Sequence, residues 1–126
     1  MSLLNSKVAV VTGGAGGIGS AICRRLAEAG ASVITTYNTN AKKAGELLNS
    51  LKGSNHSVFH APVNDSKALI ALAGLIEDKY GRLDILVNNA GITTPVAHDD
   101  LDNLSDEWID KIFATNFRGA FAMIRA

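Results

Sequence analysis

The sequence predicts an α/β fold in which helices cover both faces of a doubly wound parallel sheet. Short apolar runs such as "VAVV" and "ILV" alternate along the chain with longer segments of helical periodicity. Strand–helix–strand units of this kind require parallel strands joined by right-handed crossovers. Strands that are apolar throughout suit a sheet that is covered on both sides. The 126 residues amount to about one domain.

The first strand and the first helix flank a glycine-rich run. The β-branched apolar residues of Lys7–Thr12 predict the strand, and the spacing of apolar residues from Ile18 onward predicts the helix. Gly30 is placed to end that helix. Between the two elements the chain reads "GGAGGIG", a composition that weakens helices and strands alike.

The second helix lies between two further predicted strands. Ser32–Tyr37 reads as the second strand, and Asn40 is a typical N-terminal cap for the helix that follows. Gly53 is placed to close this helix. The third strand is predicted over Ser57–Val63, with Pro62 weakening its end.

A third helix and a fourth strand follow. Asp65 or Ser66 can cap the helix, and Gly81 is placed to stop it. The apolar run within Asp84–Asn88 predicts the fourth strand. A polar loop then covers residues 91–104.

The final predicted element is a helix capped by Ser105. The face that we expect to be buried consists of Ile109, Ile112, Phe113, Asn116, Ala120 and Met123. Asn116 is polar within this apolar stripe. Because a buried amide costs about 1–3 kcal/mol when it is unbonded, we expect Asn116 to have a specific partner.

The glycine run indicates a phosphate-binding turn. It lies where the first strand turns into the first helix, at the sheet edge where open α/β sheets bind ligands. A helix N-terminus offers unpaired N–H groups and a partial positive charge, and residues without side chains let a phosphate approach them. A tight turn that serves only close packing of helix and strand is the alternative.

The residues around the run narrow the choice of ligand. A mononucleotide-binding loop ends in a lysine followed by serine or threonine, whereas Gly17 and Gly19 are followed here by Ile18 and Ser20. An NTPase is therefore disfavoured. A methyltransferase that binds S-adenosylmethionine remains a weaker alternative, although that class usually carries an acidic residue after the second strand.

The end of the second strand bears on the choice between NAD and NADP. No acidic residue lies between Glu28 and Glu46, although an NAD site favours one about 20 residues beyond the glycines. The segment Tyr37–Asn40 and the following Lys42 and Lys43 offer donors without a carboxylate that would repel a 2′-phosphate. We therefore favour NADP(H) over NAD(H); solvent-facing lysines with no ligand role are the alternative.

Several other function classes are disfavoured. Twelve Lys and Arg balance twelve Asp and Glu, so no net charge attracts nucleic acid or an anionic membrane surface. No apolar run is nearly as long as a membrane span, which needs about 20 residues. The single Cys23 predicts a small buried thiol, and His56, His60 and His98 lack metal-ligand spacing. The expected location is the reducing cytoplasm.

Three motifs in order resemble those of the short-chain dehydrogenase/reductase family. "TGGAGGIG" over Thr12–Gly19 matches the TGxxxGxG pattern of that family, and "NNAG" over Asn88–Gly91 follows the fourth strand as it does there. "TNFRGAF" over Thr115–Phe121 resembles the helix that carries the family's active-site asparagine. The resemblance covers the whole chain, and its general likeness is to the 3-oxoacyl-carrier-protein reductase-like branch.

The resemblance implies a Rossmann-type, three-layer domain and assigns roles to matching positions. Those implied for cofactor binding are Gly13, Gly17, Ile18 and Gly19 at the pyrophosphate, Tyr37 and Asn38 at the adenosine ribose, Val63 after the third strand, and Asn89, Ala90 and Gly91 beneath the riboses. Asn88 is expected to tie strands together. Asn116 is implied as a catalytic residue that helps to hold a water in a proton relay.

The implied reaction is hydride transfer between NAD(P)(H) and a small carbonyl or secondary alcohol. The family's catalytic serine and its Tyr-x-x-x-Lys pair are not found, because the residues four beyond Tyr37 and Tyr80 are Ala41 and Asp84. We expect residues 1–126 to be the N-terminal part of a single domain whose catalytic half lies beyond Ala126. A truncated, non-catalytic dinucleotide-binding or interaction module is the alternative.

The resemblance also implies a homodimer or homotetramer. One departure from the family concerns the third strand, after which an aspartate commonly reads the adenine. Pro62 stands at that position here, with Asp65 three residues further on. A second departure is Gly16, where many NADP-using members carry a basic residue.

Overall fold

The computed structural model describes residues 3–126. The elements in chain order are β1 (Val8–Val11), α1 (Gly17–Glu28), β2 (Ser32–Tyr37), α2 (Ala41–Ser50), β3 (Ser57–His60), α3 (Ser66–Tyr80), β4 (Ile85–Val87), α4 (Asp106–Phe113) and α5 (Gly119–Arg125). A π-helical segment, Ala114–Arg118, joins α4 to α5.

The four strands form one parallel sheet in the order β3-β2-β1-β4. Val8 pairs with Ser32 of β2, and Ala9 pairs with Ile85 of β4. The chain proceeds from β1 toward one edge through β2 and β3 and then returns to the other side of β1 as β4. The predicted doubly wound α/β fold is confirmed, and the order of strands reverses between β1 and β4, where such folds bind their ligands.

Two hydrophobic cores cover the two faces of the sheet. On one face, Val8 and Val10 of β1 pack with residues of α3 and α5, including Leu69 and Met123. On the other face, the alternate β1 residues Ala9 and Val11 pack with residues of α1 and α2, including Cys23 and Leu47. Because successive strand residues point to opposite faces, each strand contributes to both cores.

The predicted helix caps are found except at the end of α2, where the helix ends at Ser50 with Leu51 as its C-cap and not at Gly53. Asn40 accepts a hydrogen bond from Lys43 N, and Ser105 accepts one from Trp108 N. Asp65, rather than Ser66, caps α3, because its carboxylate accepts from the main chain of the first turn. Gly81 ends α3 in the left-handed conformation with φ of 71°.

The third strand is shorter than predicted. It ends at His60 rather than at Val63, although Ala61 N still donates to Tyr37 O. Pro62 follows, and because proline has no N–H it cannot continue the ladder. The segment after β3 therefore leaves the sheet early and lies at its carboxyl edge.

The predicted buried face of the last helix is partly wrong. Phe113 and Asn116 are exposed, whereas Gly119, Ala122 and Met123 are buried. The π-helical segment explains the difference, because its wider turn shifts the residues that follow away from the spacing of a regular helix. Gly119 also packs so closely that a Cβ there would lie 2.8 Å from Cγ2 of Val63.

Candidate functional site

A cleft of about 540 Å³ lies at the carboxyl edge of the sheet, beside β1 and β4. All ten residues for which the family resemblance implies cofactor binding line it: Gly13, Gly17, Ile18, Gly19, Tyr37, Asn38, Val63, Asn89, Ala90 and Gly91. The cleft also includes Thr115, which places the turn before Asn116 at its rim. Segments far apart in the sequence therefore converge on one cavity.

The glycine turn presents the N-terminus of α1 to this cleft. Gly13 has a φ of 63°, and Gly16 is the N-cap without any side-chain hydrogen bond to the helix. Because the first N–H groups of a helix have no acceptor within it, those of α1 are available to a ligand. The turn can therefore hold an anionic group.

Gly17 and Gly19 are glycines for different reasons. A Cβ on Gly17 would meet no protein atom within 4 Å, so a side chain there would extend into open space beside the cleft. A Cβ on Gly19 would lie 2.5 Å from Asn89 Nδ2 and 2.8 Å from Gly13 O. Packing within the protein thus excludes a side chain at Gly19, while only a ligand would exclude one at Gly17.

The "NNAG" segment ties the end of β4 to the end of β1. Asn89 Nδ2 donates to Thr12 O at 3.1 Å and to Gly13 O at 3.0 Å. The main-chain N–H groups of Asn89 and Ala90 both donate to Thr12 Oγ1 at 3.1 Å. The small side chain of Ala90 also permits the close approach of Gly13. A Cβ added to Gly13 would lie 3.1 Å from Ala90 Cα.

The role expected for Asn88 was assigned to the wrong asparagine. Asn88 Nδ2 donates to Ala120 O on α5 at 3.4 Å, so its side chain links the strand to a helix. Asn89 makes the contacts between strand ends instead. The reason is the alternation of side chains along an extended chain, which places neighbouring asparagines on opposite sides.

Three buried threonines at the strand ends were missed by the sequence analysis. Thr36 Oγ1 accepts from Gly13 N at 3.3 Å, and Thr35 Oγ1 accepts from Gly14 N at 3.0 Å. Thr12 accepts from the "NNAG" main chain as described above. Threonine is common in strands for its shape alone, so only the placement of all three near the glycine run could have signalled this role.

Asn116 is exposed but has the specific partner that its position predicted. Its Oδ1 accepts from Ile92 N at 2.7 Å, and its Nδ2 donates to Ile92 O at 2.8 Å. The expected burial of this amide is therefore wrong, whereas the expected partner is found. Both amide atoms fix the main chain directly after "NNAG", which keeps that loop beside the π-helical segment.

Comparison with known proteins identifies the family. A protein-family model described as short chain dehydrogenase matches residues 7–126. The chain belongs to this family.

Other proteins are similar to this chain in both sequence and fold. The chain is 38% identical over 126 residues to elsinochrome reductase 1 of Elsinoe fawcettii, an alignment that covers 98% of this chain and 46% of that protein. A short chain dehydrogenase from Burkholderia cenocepacia in complex with NADP superposes with a TM-score of 0.89 at 35% identity, covering 98% of this chain and 50% of that one.

A third similar protein is the 3-ketoacyl-(acyl-carrier-protein) reductase of Brucella melitensis complexed with NADH. It superposes with a TM-score of 0.88 at 31% identity, covering 97% of this chain and 48% of that one. The chain thus spans about half the length of the relatives it matches.

Aromatic rings and polar groups meet at the end of the cleft beside β2 and β3. The rings of Tyr37 and His60 lie 5.3 Å apart, and His60 Nε2 bonds Asn38 O at 2.9 Å. Pro62 lines this end of the cleft and offers no polar side chain. The carboxylate of Asp65 caps α3.

The single cysteine, Cys23, serves the fold and not the cleft. Burial raises the pKa of the Cys23 thiol to about 11, so the thiol stays protonated and packs as a core residue. Residues 3–126 contain no cluster of three or more His, Cys, Asp or Glu that could hold a metal ion. Within the same range, no helix is long and apolar enough to cross a bilayer.

Proposed function

We propose that the chain is the cofactor-binding part of an NAD(P)(H)-dependent oxidoreductase that acts on a small carbonyl compound or secondary alcohol. The bound nicotinamide would supply or accept the hydride. The observation that carries the proposal is the open space above Gly17. This space lies at a helix N-terminus that no side chain caps, in a chain that belongs to the short-chain dehydrogenase family. Residues 1–126 would form the N-terminal part of a single Rossmann-type domain.

The pyrophosphate would lie against the glycine turn. Gly13, Gly17, Ile18 and Gly19 line the cleft there, and the side chain of Ile18 is 76% exposed. Unpaired N–H groups and the helix dipole favour an anion at this point by about 0.3–2 kcal/mol. A diphosphate bridge suits the site because it carries charge without needing a side-chain partner.

The positions that we propose for the riboses and the adenine of the cofactor are set by residues at the two ends of the cleft. Tyr37 and Asn38 end β2 and would lie beside the adenosine ribose. Asn89, Ala90 and Gly91 would lie beneath the riboses, where their small side chains and fixed main chain leave room for the cofactor. Val63 would contact the adenine through its apolar side chain.

We propose NADP(H) rather than NAD(H) as the preferred cofactor. The end of β2 carries no carboxylate that would repel a 2′-phosphate, and Lys42 and Lys43 are exposed on the first turn of α2. Similar proteins have been solved with each of the two cofactors, so the proposal rests on these local charges.

Asn116 would act in catalysis by holding a water for proton transfer. Its two hydrogen bonds to Ile92 fix it at the rim of the cleft, and π-helical segments such as the one that contains it are frequent at functional sites. The serine, tyrosine and lysine of the family's reaction would come from outside residues 1–126. Neither Tyr37 nor Tyr80 has a lysine four residues later.

The proposal is tested by thermal unfolding of the intact natural protein with NADPH, NADH or S-adenosylmethionine. Ligand at 100 times its Kd stabilises a folded protein by about 2.7 kcal/mol. We expect NADPH to raise the melting temperature most, NADH less and S-adenosylmethionine not at all. No shift with either nicotinamide cofactor, together with no NADPH oxidation on a panel of carbonyl compounds, would refute the proposal.

A further inference from the structure

The hydroxyl of Thr35 lies directly against the glycine turn. Thr35 is fully buried on β2, and its Oγ1 accepts from Gly14 N at 3.0 Å while donating to Val11 O at 3.1 Å. One side chain therefore joins the last residue of β1 to the main chain of the turn. Thr35 does not itself line the cleft.

Thr35 also explains why residue 14 is a glycine. Gly14 is not among the glycines with positive φ, so its main-chain conformation would accept a side chain. A Cβ there would instead collide with Thr35 Oγ1 and lie 2.8 Å from Cys23 Sγ and 3.0 Å from Thr35 Cβ. Rotating the Thr35 side chain would leave the contact with its own Cβ and would break both hydrogen bonds of its hydroxyl.

The position of Gly14 affects that of the first turn of α1, to which we assign phosphate binding. A Cβ on Gly19 would lie 2.9 Å from Gly14 Cα, so the two main-chain segments are in close contact. Gly19 belongs to the first turn of α1 and lines the cleft. A displacement of Gly14 would therefore move the N–H groups that we assign to the diphosphate.

We propose that Thr35 is a positioning residue for the dinucleotide: its hydroxyl holds Gly14, and through Gly14 the first turn of α1, in the arrangement that binds the cofactor. The inference rests on the proposed function. It predicts that the Thr35 hydroxyl affects cofactor affinity although it touches no cofactor atom. It also predicts that the requirement for glycine at position 14 depends on Thr35.

The first test compares Thr35→Val with Thr35→Ser in the intact natural protein. Fluorescence titration gives the Kd for NADPH and NADH, and circular dichroism confirms that each variant is folded. We expect Thr35→Val to weaken cofactor binding roughly tenfold or more, because small misplacements of binding groups are costly, with kcat at saturating cofactor nearly unchanged. Thr35→Ser keeps the hydroxyl and should bind within about threefold of the unaltered protein.

The second test is a double-mutant cycle of Gly14→Ala with Thr35→Ala. Removing Oγ1 relieves the shortest of the three contacts, while those with Cys23 Sγ and Thr35 Cβ remain. Gly14→Ala should therefore weaken binding less in the Thr35→Ala background. Gly14→Ala that fails to fold while the double variant folds and binds would support the same coupling. Gly74→Ala on α3, where a Cβ meets nothing within 4 Å, is the control and should leave binding unchanged.

The outcomes separate the inference from the proposed function. If the unaltered protein binds cofactor but Thr35→Val binds equally well, or Thr35→Ser binds as poorly as Thr35→Val, the inference is wrong and the proposed function stands. An equal cost of Gly14→Ala in both backgrounds overturns it too. If the unaltered protein binds neither NADPH nor NADH, the proposed function fails first.

Discussion

Single residues at the cleft divide into those that the fold requires and those that only a ligand requires. Gly19 belongs to the first group, because neighbouring protein atoms leave no room for a Cβ. Gly17 belongs to the second, because its surroundings are open. The sequence presents both as the same motif, and only the contacts separate them.

Replacing Gly17 by valine should weaken cofactor binding strongly while the protein stays folded. The branched side chain would occupy the space that we assign to the diphosphate, and overfilling a packed site costs about 1–3 kcal/mol, or roughly 5- to 150-fold in Kd. Titration with NADPH measures the effect. Gly45→Val on α2, which also meets open space, is the matched control. Unchanged NADPH affinity in Gly17→Val would show that the diphosphate lies elsewhere.

Replacing Asn38 by aspartate should move cofactor preference toward NADH. A carboxylate there can bond a 2′-hydroxyl and repels a 2′-phosphate, so we expect the NADPH-to-NADH affinity ratio to fall by roughly tenfold or more at low salt. Asn49→Asp, which adds the same charge to an exposed position on α2, should leave the ratio unchanged. A constant ratio in Asn38→Asp would mean that Asn38 is not near the 2′ position.

At the scale of elements, local signals predicted the helix ends well. Asn40, Asp65, Ser105 and Gly81 all act as the sequence indicated, because capping depends on residues within one turn of the cap. The end of β3 and the buried face of the last helix were predicted less well. β3 was predicted to run past Pro62, whose missing N–H ends the ladder. The buried face of the last helix depends on the π-helical segment, which periodicity alone does not reveal.

The pairing of β1 with β4 should be sensitive to acid through Asp84. Its carboxylate accepts from Val8 N at 2.8 Å and bonds the Arg82 guanidinium. The Arg82 hydrogen bonds, and then the Val8 bond, lower the pKa of Asp84 in the folded state. This group therefore stabilises the fold above the ordinary aspartate pKa, and the contribution is lost as the pH falls from there through the lowered folded-state pKa.

The variant Asp84→Asn tests the direction of this pH dependence of stability. Urea unfolding midpoints measured from about pH 6 down to about pH 3 should fall less steeply with acid in Asp84→Asn than in the unaltered protein. Asp78→Asn, at an exposed position on α3, is the control. An acid limb of the same slope in Asp84→Asn would mean that this carboxylate does not stabilise the fold.

At the scale of the whole molecule, one helical face is apolar and exposed. Phe113, Phe117, Phe121 and Ile124 are 57–73% exposed and recur at helical spacing along α4, the π-helical segment and α5. A face of this kind suits burial against another protein surface, because each aromatic side chain buried contributes about 1.5–3 kcal/mol. We propose that it contributes to the homodimer or homotetramer expected for the intact protein.

Replacing Phe117 by glutamate should therefore lower the molar mass of the intact protein measured by light scattering during size-exclusion chromatography. The buried charge would have no partner, so association should weaken by roughly 100-fold or more. Leu101→Glu, a matched change at a residue that is 77% exposed in a loop, should not alter the mass. An unaltered oligomer in Phe117→Glu would place the interface elsewhere.

The sequence by itself determined the fold class and most of the helix caps, which follow from periodicity and capping within a few neighbouring residues. Its motifs, through their resemblance to the short-chain dehydrogenase/reductase family, implied the residues that line one cleft. Only the tertiary structure decided that Asn116 is exposed, that Asn89 rather than Asn88 ties the strands, and that Thr35 and Gly14 share one space. Those facts depend on contacts between residues that are more than twenty positions apart in the chain, and no local pattern records them.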